Sequence, residues 1–208
     1  MTFYRSDEPH GLRRNPFNQL VVPRPIGWIS TVDVDGDVNL APYSFFNAVA
    51  YVPPIVMYAT TGPHGRGGEK DSVANIRATG EFVFNMTTWA LRDAVNASCI
   101  AAPHGIDEFD VAGLTKAAST IVKPPRVAES PVHFECTLVR IVELPTPDAT
   151  DPNTVVFGEV AGVHIDDDVI VDGLVDVRKL DPIARLGYDE YTRVTEVFAM
   201  TRPEWTGR

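Results

Sequence analysis

The densest group of side chains able to hold an anion lies in residues 61–72, TGPHGRGGEKDS. Its four glycines let backbone N–H groups turn toward a ligand, and the helix that starts nearby would add the partial positive charge of its N-terminus. Arg66 and Lys70 would supply full charges and Ser72 a hydroxyl donor. Asp71 works against a phosphate, so it is expected to cap the helix or pair with Lys70. A capped surface helix with solvated charges accounts for these residues equally well. Two phosphate motifs are excluded: Gly62-x4-Gly67 is followed by Gly68 and Glu69 where a triphosphate loop needs Lys-Ser/Thr, and Gly65-x-Gly67 meets Lys70 where the dinucleotide fingerprint needs a third glycine.

A second group, NLAPYSFFN over residues 39–47, crowds hydroxyls, amides and rings into a few positions with little charge, which suits a flat ligand with polar edges. Ser44 and Asn47 could bond the edge, with Trp28, Phe45 and Phe46 against the faces; Thr60, Asn96 and Ser98 are secondary candidates. Each ring taken alone is more commonly core. Asp33-Val-Asp35-Gly-Asp37 fails as a calcium loop, because its glycine comes two positions early and Ser44 stands where the bidentate Glu belongs. His10, His64, His104, His133 and His164 lack the short spacings of metal ligands, so no metal is expected. There is no G-x-S-x-G, and Cys99 has no obvious histidine partner.

The elements that must position these groups are mostly strands. Around the turn dipeptide Asp35-Gly36, residues 20–46 read as a hairpin. Residues 55–60, IVMYAT, follow Pro53-Pro54 and read as a strand buried on both sides. A helix is expected from Asp71 or Ser72 to a glycine stop at Gly80, then a strand over 81–86, then a helix capped by Thr88. Residues 101–131 read as irregular, residues 132–144 and 154–165 as an antiparallel pair, Asp166–Asp168 as a solvated turn, 175–186 as a short helix or loop, and 192–200 as a last strand. Strands without regular helix alternation predict a single mainly β domain over residues 1–208, an antiparallel barrel with a few flanking helices and an irregular lead-in at 1–18.

A composition of 44% hydrophobic and 22% charged residues is that of a globular protein. A net charge of -10 excludes nucleic acid and disfavours anionic membranes, although a local cationic pocket remains compatible with it. Two cysteines make no disulfide framework, and the chain has neither a signal-like N-terminus nor an apolar run long enough to span a membrane, so a cytoplasmic location is expected.

Five pieces stand in order along the chain: RPIGWIST, NLAPYSFFNAV with the prolines after it, KDSVANI leading into GEFVFN, FGEVAGVHIDDDVIVDG, and PIARLGYDEYTR. In these pieces the chain resembles the flavin reductase-like family, which includes nitrilotriacetate monooxygenase component B and flavoredoxin. The resemblance implies a split β-barrel of Greek-key type, a two-fold homodimer, and FMN bound with its phosphate at Lys70-Asp71-Ser72. It further implies NAD(P)H as donor and a flavin-dependent monooxygenase or other electron acceptor as partner. His133 and Arg185 are candidates to orient the nicotinamide. Tyr188 stands where many relatives have a second glycine, which would narrow the open face. An electron-transfer flavoprotein without NAD(P)H turnover, or a binder of another flat cofactor such as haem or a deazaflavin, remains the alternative.

Overall fold

The structure is a computed structural model that describes residues 1–64, 67–148, 150 and 152–207. After a short helix, α1 (Phe17–Leu20), come four strands: β1 (Gly27–Val32), β2 (Val38–Tyr43), β3 (Phe46–Tyr51) and β4 (Pro54–Thr61). Then follow α2 (Asp71–Thr79), β5 (Glu81–Met86), α3 (Arg92–Ala97), α4 (Glu108–Ala112), and the short pair β6 (Lys116–Ala117) and β7 (Arg126–Val127). Two long strands, β8 (Val132–Leu144) and β9 (Asn153–Ile165), precede the small pieces β10 (Ile170–Val171), β11 (Leu174–Val175), α5 (Val177–Leu180), β12 (Ile183–Arg185) and β13 (Tyr191–Arg193). Seven strands form one antiparallel sheet in the order β2-β1-β5-β8-β9-β4-β3.

The sheet curls until its two ends meet. Phe46 of β3 stacks on Phe84 of β5, with centroids 4.6 Å apart and planes within 4°, and it crowds Gly27 so closely that a Cβ there would lie 2.5 Å from its ring. Tyr43 of β2 meets Tyr58 of β4 at 4.8 Å. Inside lie Ile29, Val56, Phe82, Cys136 and Val156, and Val73 and Ile76 of α2 join the same cluster. The first hairpin forms as its sequence dictates: Asp33 Oδ1 accepts from the backbone N–H of Asp35, Gly36 and Asp37, and Gly36 takes φ 98°.

Several expectations change. The hairpin is followed at once by β3, a strand absent from the sequence reading. β4 alternates between buried and less buried positions and is not enclosed on both sides, because only the face carrying Val56, Tyr58 and Thr60 turns inward. α2 ends at Gly80 as expected (φ 74°, N–H to the Ile76 carbonyl at 2.8 Å), but neither Asp71 nor Ser72 caps it; Lys70 holds the N-cap position with no side-chain bond. Thr88 does not cap α3: its carbonyl accepts the Leu91 N–H at 3.1 Å, and the helix begins a turn later. Within 101–131 lie α4, β6 and β7, with Asp107 capping α4 through the Phe109 N–H. The last strand stops at Arg193, since its partner β12 is only three residues long, and residues 194–207 have no regular structure.

A polar seam pins the 118–131 connection over the outer face of the sheet. Glu135, fully buried, accepts from the N–H groups of Thr120, Ile121 and Val122 at 2.8, 2.5 and 3.0 Å, and His164 donates to it at 2.5 Å. Val127 donates to Asn85 Oδ1 at 2.7 Å and accepts from His133 Nε2 at 2.8 Å. These bonds replace the water that this loop would otherwise need.

Candidate functional site

Two cavities adjoin at β2, and the pair is termed the groove. The larger, about 460 Å³, and the smaller, about 170 Å³, share Pro42 of β2 and Cys99 just after α3, which together make the waist. The wide end is bounded by Arg14, Arg24, Ser44, Arg185, Tyr188 and Tyr191. At the narrow end stand Asn39, Tyr43, His64, Lys70, Asp71 and Glu108.

Each wall is set by its element. Lys70 is placed by the turn into α2, whose Val73 and Ala74 N–H groups already bond the Lys70 carbonyl at 2.9 and 3.0 Å. Ser72 is fully buried, and its hydroxyl lies 2.6 Å from the Tyr43 hydroxyl, so it shapes the wall from behind and does not face the groove. Burial pushes the Tyr43 pKa up to about 12, which keeps that phenol neutral. Asp71 does not form the expected pair with Lys70; its Oδ1 faces His104 Nδ1 at 3.4 Å, and His104 Nε2 reaches Asp33 Oδ2 at 3.4 Å. Asp33, Asp37 and His104 thereby gather possible ligand atoms within 4.8 Å of one another, a grouping that the scattered histidine positions did not announce.

The structure brings Ser44, Lys70 and Asp71 to the groove, and with them Ser98, Arg185 and Tyr188. Other candidates fall elsewhere. Trp28 has no exposed surface and donates its indole N–H to Ser98 Oγ at 2.9 Å, so it supports the floor and offers no face to a ligand. Phe45 is half-buried beside Arg24, whose guanidinium lies 5.7 Å from its ring, and Phe46 is spent on Phe84 inside the barrel. Asn47 is exposed on β3 with its Oδ1 accepting from the Ala48 N–H at 2.9 Å, and Thr60 is buried on β4 opposite Thr154. Asn96 lines a separate cavity with Trp89, and His133 belongs to the seam on the far side of Asn85. Arg66 lies outside the described residues.

Glu108 stands on α4, in a stretch expected to be irregular, although Asp107 and Gly113 mark the cap and stop of a helix there. It is 5% exposed, and its Oε2 accepts from the Leu40 N–H at 2.9 Å and from Asn39 Nδ2 at 3.0 Å. Burial raises its pKa. Asn39 Oδ1 is itself buried with no partner among the described residues. Arg14, Asn15 and Asn18 were equally unreadable: the lead-in that carries them folds back over the wide end.

Residues 19–181 match the family described as flavin reductase like domain. The chain is 39% identical over 175 residues to an uncharacterized protein of Aquifex aeolicus, covering 84% of this chain and 86% of that one. Nitrilotriacetate monooxygenase component B from Bacillus cereus superposes with a TM-score of 0.85 at 27% identity, over 96% of this chain and 100% of that one. A split-barrel structure from Shewanella frigidimarina superposes with a TM-score of 0.77 at 24% identity, over 90% of each chain, and carries the same fold. The curled seven-stranded sheet is thus a split β-barrel with few helices. The chain belongs to the flavin reductase-like family.

Proposed function

We propose that the groove holds FMN and that the protein is a cytoplasmic, homodimeric NAD(P)H-dependent flavin reductase that hands electrons to a monooxygenase or another acceptor. The observation that carries this reading is adjacency: the two cavities meet at Pro42 and Cys99, which sets Lys70 and Ser44 on either side of one waist, as the two ends of an elongated ligand require. Lys70 and the first turn of α2 suit a terminal phosphate. Glu108 and the unpartnered Asn39 Oδ1 are acceptors, and acceptors beside a phosphate site suit the hydroxyl donors of a polyol. Ser44 suits the polar edge of a ring lying against Pro42 and Val95.

When bound, the flavin supplies the two-electron chemistry, so the chain has no need of a strong acid or base. Its own residues bind, orient and exclude. Cys99 is exposed at the waist, and its thiol donates to the Val95 carbonyl at 3.3 Å; partial desolvation of the sulfur raises its pKa, which favours the neutral thiol. Orientation of both partners is what the site must provide.

The test is an anaerobic absorbance titration, with FMN added if none co-purifies, then NADH, then NADPH. Prompt bleaching by one donor is expected. Flavin that binds and stays oxidised would make the protein an electron carrier, and failure to bind flavin would end the reading.

A further inference from the structure

The wide end of the groove is electropositive in a chain that is not. The sequence holds 28 acidic residues against 18 basic ones, yet the 460 Å³ cavity is lined by Arg14, Arg24 and Arg185 and by no aspartate or glutamate. The three arginines differ in what they have left to give. Arg24 is 7% exposed, and its guanidinium bonds the carbonyls of Asn18, Val21 and Leu186; it contributes a fixed charge and few free donors. Arg185 rests 4.5 Å over the Tyr191 ring and donates one side-chain bond, to the Tyr188 carbonyl. Arg14 rests 4.5 Å over the Tyr188 ring and pairs with Asp189 at 3.0 Å, across side chains that are 56% and 85% exposed. An ion pair so hydrated is easily exchanged for a better one.

Tyr188 links the two available arginines. Its carbonyl holds Arg185, its ring carries Arg14, and its backbone sits at φ 52°, a conformation that a tyrosine adopts only under constraint. A glycine would reach that backbone without strain but would give Arg14 no surface to rest on.

We propose that this mouth grips the diphosphate of a nicotinamide dinucleotide, with Arg14 and Arg185 as the anion-binding pair and Tyr188 as the platform that keeps both in place. The inference rests on the reductase reading above and names the part of the donor that the mouth recognises. Two planar guanidinium forks, one exchangeable and one anchored, match two linked phosphates better than one. The flavin phosphate does not compete for them, since Lys70 lies at the other end of the groove.

The test uses the FMN-loaded protein and its Arg14→Ala and Arg14→Lys variants. Arg14 lies in the irregular lead-in and is exposed, so neither change should disturb folding. Calorimetric titration with oxidised NAD and NADP is expected to show binding weakened about tenfold or more in Arg14→Ala, the size of a lost charge-assisted contact, with partial recovery in Arg14→Lys. The kcat/KM for NADH, divided by that for the phosphate-free donor 1-benzyl-1,4-dihydronicotinamide, is expected to fall by a similar factor. Equal loss with both donors, or unchanged dinucleotide affinity, overturns the proposal. A protein that takes up no flavin defeats the reductase reading instead, and the dinucleotide titration of the purified protein then decides the mouth by itself.

Discussion

Lys70 and Ser72 are two residues apart and do different work. Lys70 lines the groove, whereas Ser72 stands behind it with its hydroxyl on Tyr43. Lys70→Ala is therefore expected to lower FMN affinity by about 10- to 100-fold, the equivalent of one lost bond to a charged group. The ratio of FMN to riboflavin affinity should collapse with it, because riboflavin has no phosphate to lose. Fluorescence titration with both ligands measures this, and a ratio that stays put would move the phosphate away from Lys70. Ser72→Ala should instead cost about 1 kcal/mol of stability, read by urea denaturation, with the affinity ratio kept. A Ser72→Ala protein of normal stability that lost FMN would place the hydroxyl on the ligand side after all. At this scale sequence pattern shows which residues are polar but not which way they face, and burial of Trp28, Ser72 and Thr60 is the reason those three do not reach the groove.

The element that most constrains the molecule outside the site is the connection over residues 118–131. Three of its N–H groups converge on the buried Glu135 carboxylate, and together with His164 they hold its pKa down to about 2 despite the opposing cost of burial. Burial holds the pKa of His133, which bonds the same connection, down to about 4. The signs agree. The unfolded chain takes up protons first at both groups, His133 near pH 6.5 and Glu135 near pH 4.5, so stability falls as pH drops from about 6.5 through 4 and on toward 2. Denaturation midpoints at pH 7, 5.5, 4.5 and 3.5 should decline in that order, and Glu135→Gln should flatten the portion below pH 4.5. An unchanged acid limb in that variant would mean that the seam is not what acid breaks. The strands beneath were legible: β5 and β8 lie where their apolar patterns put them, and β9 starts one residue early. The connection was not legible, because its order comes from Glu135, Asn85 and His133 reaching across from distant strands, and local pattern carries no sign of a partner that far away. The same cause hid Glu108 and Arg14, whose places in the groove depend on α4 and the lead-in folding back over β2. What did show was the order of the five family-like pieces, and five of the groove's residues singled out from the sequence, Ser44, Lys70, Asp71, Arg185 and Tyr188, lie in them.

At the scale of the whole molecule, residues 194–207 form an arm whose large apolar side chains stand exposed among the described residues. Phe198, Met200 and Trp205 are 83%, 83% and 87% exposed, and at the β3–β4 turn Tyr51 and Val52 are 91% and 86% exposed. Monomers seldom leave so much large apolar surface in water, and each Å² removed from it is worth about 25 cal/mol. Net charge opposes self-association, at -10 per chain, but that repulsion acts through solvent and is screened within about 8 Å at physiological salt. Burial should prevail, so light scattering is expected to give twice the mass of one chain, with the dimer tightening as salt is raised. Trp205 reports on the arm directly. Because Trp28 is fully enclosed and Trp89 is 40% exposed, an emission that shifts to the red on dilution would come chiefly from Trp205 returning to water. Removing residues 194–208 should weaken the dimer and abolish that shift while leaving the seven-stranded sheet intact, since no strand of that sheet extends past residue 165. A full-length chain that scatters as a monomer at micromolar concentration, with fully hydrated Trp205 emission, would remove the homodimer and leave the arm to bind a different protein.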